Sequence, residues 1–217
     1  MPVLLNEAEA RVLGSLVEKQ LTTPEYYPLT LNALTAACNQ KSNRDPVMSL
    51  DDTSILAAID SLRDKNLVYL FYGSSSRAVK YKHMLPGVFE LEAPAVAVMT
   101  LLLLRGPQTV GELRGRSDRL YEFGALQEVQ EALDYLARRD EPLVVKLERQ
   151  PGQKEARYAH LLSGPVEQVA VSEADRTSVP AAGSNERIEK IELEIETLRN
   201  EVESLREAFD KFREQFN

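Results

Sequence analysis

The sequence predicts a mainly α chain of the α+β class with small β-hairpins, and three observations carry that prediction. One pattern occurs twice: Ala58-Ile59-Asp60-Ser61-Leu62, Leu67-Val68 and Lys80-Tyr81-Lys82-His83 recur as Ala132-Leu133-Asp134-Tyr135-Leu136, Leu143-Val144 and Arg157-Tyr158-Ala159-His160. Each copy reads as an amphipathic helix running into a hairpin of two short strands, with two further helical segments before it. Helix, helix, helix, hairpin is the order of a winged helix-turn-helix. The third observation is a heptad pattern near the C-terminus. The expected organisation is a first winged-helix domain over 1–85, a second over 86–163, a flexible linker over 164–184 and a coiled-coil helix over 185–217.

The first helix is expected to open at a capping box, Asn6 with Glu9 three positions on, and to bury Val12, Leu13, Leu16 and Val17. Pro24 lies past its end, and a second helix runs from about Thr30 through Leu31, Leu34 and Cys38. After a polar segment, Ser49 with Asp52 reads as another box opening the helix that buries Ile55, Ile59 and Leu62. Leu67 to Tyr72 and Ala78 to Met84 pair around a Gly-Ser-Ser-Ser turn as the first wing.

The second copy is tighter in the middle. Pro94 suits a first helical turn, Gly106-Pro107 ends that helix, and Thr109 with Glu112 forms a third box. The third helix spans about Ala125 to Arg139. Leu143 to Arg149 and Ala156 to Leu162 form the second wing around Pro151-Gly152. Only Leu85 to Glu92 separates the copies, so they are expected to pack together. The apolar run Ala95 to Leu104 is too short to span a bilayer and reads as a buried core helix.

Residues 164–184 carry Gly, Pro, Ser and Ala with few large apolar groups, as a linker does. Beyond them Ile188, Ile191, Ile195, Leu198, Val202, Leu205, Phe209, Phe212 and Phe216 follow at gaps of three and four. Position g holds Arg187, Glu194 and Glu201, and the following e positions are Glu192, Arg199 and Arg206. These meet as opposite charges in a parallel pair, so a parallel homodimer is expected. The phenylalanines are unusual for a narrow two-stranded seam. The alternatives are a helix folded back on its own winged domains or docked on another protein.

The chain carries a net charge of -8 over 217 residues, but residues 1–90 and 91–164 stand at -1 each and residues 165–217 at -6. The acidity of the whole therefore says little about what the repeats bind. The lone Cys38 has no disulfide or zinc partner, and the Met1-Pro2-Val3-Leu4 start lacks the pattern of a signal peptide. A cytoplasmic protein without membrane association is expected, with Cys38 as a small buried hydrophobe.

The segment Leu29-Thr30-Leu31-Asn32-Ala33-Leu34, continuing as Ala36-Ala37-Cys38-Asn39-Gln40-Lys41-Ser42-Asn43-Arg44-Asp45-Pro46-Val47 and preceded by Tyr26-Tyr27-Pro28, resembles the signature of the uncharacterised bacterial YceH-like family. The resemblance covers about residues 4–163. It implies two tandem winged-helix domains in a cytoplasmic protein, and it brings no catalytic residues.

The residues themselves offer no enzyme either. The sequence has no glycine-rich phosphate loop, no clustered metal ligands and no Ser or Cys with a His placed to activate it, so neither catalysis nor a cofactor is expected. His83 and His160 occupy the same place in both copies, which a shared packing role explains. The nucleic-acid candidates in the first copy are Asn39, Gln40, Lys41, Asn43 and Arg44 in the polar segment and Arg77, Lys80 and Lys82 in the wing. In the second copy they are Arg114, Arg116 and Arg119 in the turn and Lys154 and Arg157 in the wing. Asn and Gln suit adenine edges, and Arg and Lys suit guanine or phosphate. The polar segment reads equally well as a solvated connector whose Asn and Ser groups cap helix ends. Against DNA stand the carboxylates of the third helices: Asp51, Asp52, Asp60 and Asp64 in the first copy, and Glu128, Glu131 and Asp134 in the second. Two functions are therefore expected: a homodimeric, regulatory binder of double-stranded DNA, or a protein-interaction adaptor using the same surfaces.

Overall fold

The computed structural model describes residues 4–72, 78–149 and 153–165. The heptad positions Ile188, Ile191, Ile195, Leu198, Val202, Leu205, Phe209 and Phe212, nearly all of the expected linker, and Arg77 lie outside the described residues. The architecture is mixed: helices with small antiparallel sheets. α1 (Glu7–Thr22) is followed by a short 3-10 turn, β1 (Leu29–Thr30), α2 (Leu31–Cys38), α3 (Asp52–Asp64), β2 (Val68–Phe71) and β3 (Lys80–His83). After α4 (Leu85–Phe89) come α5 (Ala93–Arg105), α6 (Val110–Ser117), α7 (Leu126–Ala137), β4 (Val144–Lys146) and β5 (Tyr158–His160).

The duplication extends to hydrogen-bond register. Val68 pairs with His83 and Leu70 with Tyr81; Val144 pairs with His160 and Lys146 with Tyr158. β1 places Leu29 opposite Tyr81, and an isolated bridge places Gln108 opposite Tyr158. The next residue in each copy, Thr30 or Thr109, caps the following helix with its hydroxyl. The entry to each hairpin is also shared: Leu67 N–H donates to Leu62 O and Leu143 N–H to Leu136 O.

Two of the three expected capping boxes form. Asn6 and Glu9 exchange bonds at 2.9 Å each, and Thr109 with Glu112 does the same at 3.2 and 2.9 Å. The Ser49/Asp52 box does not form. Asp51, in extended backbone, caps α3 by accepting from Ser54 N–H at 2.8 Å, while Asp52 accepts the Thr35 hydroxyl at 2.6 Å. An aspartate next to the first helical turn reaches the free N–H groups, and the cross-bond to α2 holds Asp52 away from Ser49. The stretch Leu85 to Glu92 is also more than a connector. Pro86 starts the short α4, and Glu90 closes it at φ 50° in the left-handed region.

α1 and α5 lie side by side, and one apolar core runs through both copies. Their close approach passes over Gly14, where a Cβ would stand 2.9 Å from Leu104 Cδ2 and 3.1 Å from Leu103 Cβ. Ala95 to Leu104 are all buried, so α5 is a core helix as its composition predicts. Among the described residues no helix is long and apolar enough to cross a membrane.

Candidate nucleic-acid interface

The 39–47 loop lies between α2 and α3, and two buried arginines organise it from beneath. Arg11, on α1 and 2% exposed, donates to Cys38 O at 3.1 Å and to Pro46 O at 2.6 Å. Arg44 folds inward to meet Glu18 of α1. Its Nη1 donates to Glu18 Oε1 and Asn43 O, its Nη2 to Glu18 Oε2 and Ala37 O, and its Nε to Ala37 O, at 2.6–3.1 Å. A guanidinium has five N–H donors, and all five are used. Arg44 therefore has nothing to offer a phosphate, and the expectation that it faces nucleic acid is corrected. The physical reason is that a charge removed from water must be paired, and Glu18 pairs it in bidentate fashion.

Asn39 is likewise committed: its side chain brackets Leu50, donating to the carbonyl and accepting from the N–H at 2.8 Å each. Asn43, at φ 57°, accepts from Arg105 of α5 at 3.0 Å, and Asp45 N–H donates to Leu104 O at 3.0 Å. The loop thus ties α1 and α2 to α5. Of its candidate contacts Lys41 is exposed and Gln40 half-buried.

In the second copy Arg114 and Arg116 lie in the last turn of α6, which runs to Ser117, rather than in a turn after it. Cations there face the free carbonyl end of the helix. Arg114 donates to Gly124 O at 3.0 Å, and Arg116 to Gln108 Oε1 at 2.8 Å. Arg157 donates to Pro107 O at 2.8 Å and pairs with Glu112 at 3.1 Å. Burial works to raise the Glu112 pKa, but the Thr109 N–H and the Arg157 and Arg116 charges outweigh it and hold the carboxyl below the usual range. Arg119 and Lys154 are exposed. Lys154 lines an open groove of about 810 Å³ with Lys146, Arg149, Gln127 and Gln130 where the second hairpin faces the start of α7.

In the first hairpin Lys82 is exposed and Lys80 half-buried. Beside them stand groups the sequence reading passed over. Tyr69, Phe71 and Tyr72 are 50%, 44% and 71% exposed. The period-two alternation of Val68-Tyr69-Leu70-Phe71 carried that signal. A second overlooked feature is a cleft of about 580 Å³ where Tyr121, Phe123 and Tyr135 meet Glu92, Glu128 and Glu131. Its residues come from three separated segments, so no local pattern announces it. The outward carboxylates of α3 are exposed at Asp51, Asp52, Asp60 and Asp64.

His83 is a core group and His160 is half-buried. His83 is 3% exposed, and its backbone N–H donates to the Tyr27 hydroxyl at 2.7 Å. Burial, with Lys82 nearby, pulls the His83 pKa down to about 4, and burial pulls His160 down to about 4. Both are neutral near pH 7. Burial pushes the Cys38 thiol up to about 11, which keeps it protonated near pH 7. Among the described residues no group of His, Cys, Asp and Glu is placed to hold a metal ion.

Residues 5–153 match the model of a family described as "Protein of unknown function, DUF480". The chain is 53% identical over 202 residues, 90% of both chains, to a UPF0502 protein of Geobacter metallireducens. It is 53% identical over 198 residues, 89% of both chains, to a UPF0502 protein of Geotalea daltonii. A UPF0502 protein of Opitutus terrae is 52% identical over 181 residues, 83% of this chain and 77% of its own.

Proposed function

The chain belongs to the DUF480 family, and from that premise we propose a homodimeric, regulatory DNA-binding protein of the YceH-like type. Its described part would work as two tandem winged helix-turn-helix units, and residues 185–217 would join two copies as a parallel coiled coil. The observation that carries the reading is the repeated helix-helix-helix-hairpin register, with exposed cations on the loops and hairpins: Lys41, Lys82, Arg119 and Lys154. Cations on flexible stems along loops and wings suit phosphate oxygens, and the acidic outward face of α3 does not suit base edges. Binding would therefore be driven by phosphate contacts and would be only weakly selective for sequence.

A linker of some twenty residues has a typical reach of roughly 25 Å, so a dimer would gain avidity without a fixed half-site spacing. Truncation after Ser163 is expected to leave a monomer by light scattering, and a truncated chain that stays dimeric contradicts the coil. The DNA reading is tested by titrating the full chain against mixed-sequence duplex at several salt concentrations. Affinity that falls steeply with salt, and falls further with Lys41→Ala, supports it. Absence of binding at low salt removes it.

A second reading, a non-enzymatic adaptor for protein partners, is favoured by the aromatic and carboxylate cleft beside α7. Rings and carboxylates together suit a cationic side chain of a partner. Retention of a partner by the full chain, lost on Tyr121→Ala with no effect of Lys41→Ala, would select it.

A further inference from the structure

In the first hairpin Tyr69 lies directly opposite Lys82 and Phe71 opposite Lys80. Directly opposed residues share one face of a sheet, and Val68, Leu70, Tyr81 and His83 take the other, toward the core. The outward face thus presents two rings in one row, about 7 Å apart, flanked by a row of two amines. Among the described residues, neither lysine is in an ion pair and neither ring is in a ring contact. Asp60 on α3, whose charge acts on the inward-facing Tyr81, is paired with Arg63 at 2.9 Å.

The topology does not require these groups. The second hairpin has the same register, yet Val145 and Ala159 stand where Tyr69 and Lys82 stand in the first. Large rings left half in water forgo burial that each ring would otherwise gain. They are placed to gain it from a ligand. In a duplex the base faces are stacked on one another and closed to a flat protein surface. A single strand offers open base faces for the rings and phosphates for the lysines, as on other sheet surfaces that bind unpaired strands.

We propose that the outer face of the first hairpin binds single-stranded nucleic acid, with successive bases stacked on Tyr69 and Phe71 and the backbone held by Lys80 and Lys82. The inference rests on the nucleic-acid reading above and extends it from duplex to unpaired strand. Fluorescence anisotropy with the full chain tests it, using labelled oligo(dT), oligo(rU) and a mixed-sequence duplex. Replacing both rings, Tyr69→Leu with Phe71→Leu, keeps apolar surface but removes stacking. It is expected to weaken single-strand binding roughly thirtyfold or more, the lower limit for two stacked bases, and to change duplex affinity less than about threefold. Tyr69→Phe is expected to bind as the parent does, which keeps the test readable if the double variant fails to fold. Lys80→Ala with Lys82→Ala is expected to flatten the single-strand salt dependence by about 0.7 per lysine. Preference for oligo(dT) or oligo(rU) supports the inference either way. Duplex binding without single-strand binding overturns this inference and leaves the proposed function standing; binding to neither overturns both. Equal single-strand affinity of the parent and the double leucine variant also overturns it.

Discussion

At the scale of single residues, the decisive side chain is Arg44. Its guanidinium is fully enclosed and shares two bonds with Glu18, so Arg44→Ala leaves that largely buried carboxylate with only the more distant Lys19 ammonium at 3.6 Å. The expected loss is about 3–5 kcal/mol of stability, read as a lower urea midpoint, and Arg44→Lys is expected to recover little because an ammonium cannot make the fork. An unchanged midpoint contradicts the assignment. The histidines make a separate prediction. Their native pKa values of about 4 lie below the unfolded value of about 6.5. Between those limits the unfolded chain binds protons the native chain does not, so stability falls as pH drops from about 6.5 to about 4 and is flat just above. Urea unfolding followed across that window checks it. Loss of Glu9 and Glu112 as anions belongs to a lower range, because both carboxyls are held below their usual values.

At the scale of elements, helix starts can be separated by substitution. Asp51→Ala is expected to lower the urea midpoint and Ser49→Ala to leave it unchanged, because Asp51 caps α3 and no capping bond reaches Ser49. Equal losses would restore the Ser49 box. The hairpins and every helix but α4 were legible in sequence because apolar spacing and capping residues act locally: Asn6, Thr30, Thr109 and Gly106 mark ends that the structure keeps. β1 was not, because two residues become a strand only when Tyr81 arrives from far along the chain. The inward turn of Arg44 was not legible for the same reason. Arg44 and Asn39 look like polar loop residues until Glu18 and Leu50 are brought beside them. The exposed cations, Lys41, Lys82, Arg119 and Lys154, were legible because nothing distant claims them.

At the scale of the whole molecule, the described copies are joined by packing rather than by a hinge. α1 meets α5 over Gly14, and the 39–47 loop reaches α5 through Asn43 to Arg105 and Asp45 to Leu104. The segment that carries the family resemblance is therefore also a joint between the copies, which gives it a structural role independent of any ligand. Surface chemistry then distinguishes the copies: rings and lysines on the first hairpin, a polar groove and an acidic aromatic cleft around α7 in the second. The most direct measurement is the affinity of the full chain for mixed-sequence duplex DNA as a function of salt, with and without Lys41→Ala. Phosphate-driven binding predicts a linear log–log fall with a slope steeper than about -3, made shallower by about 0.9 for each Lys41 that contacts a phosphate. No binding at low salt, or an affinity indifferent to salt, would contradict it.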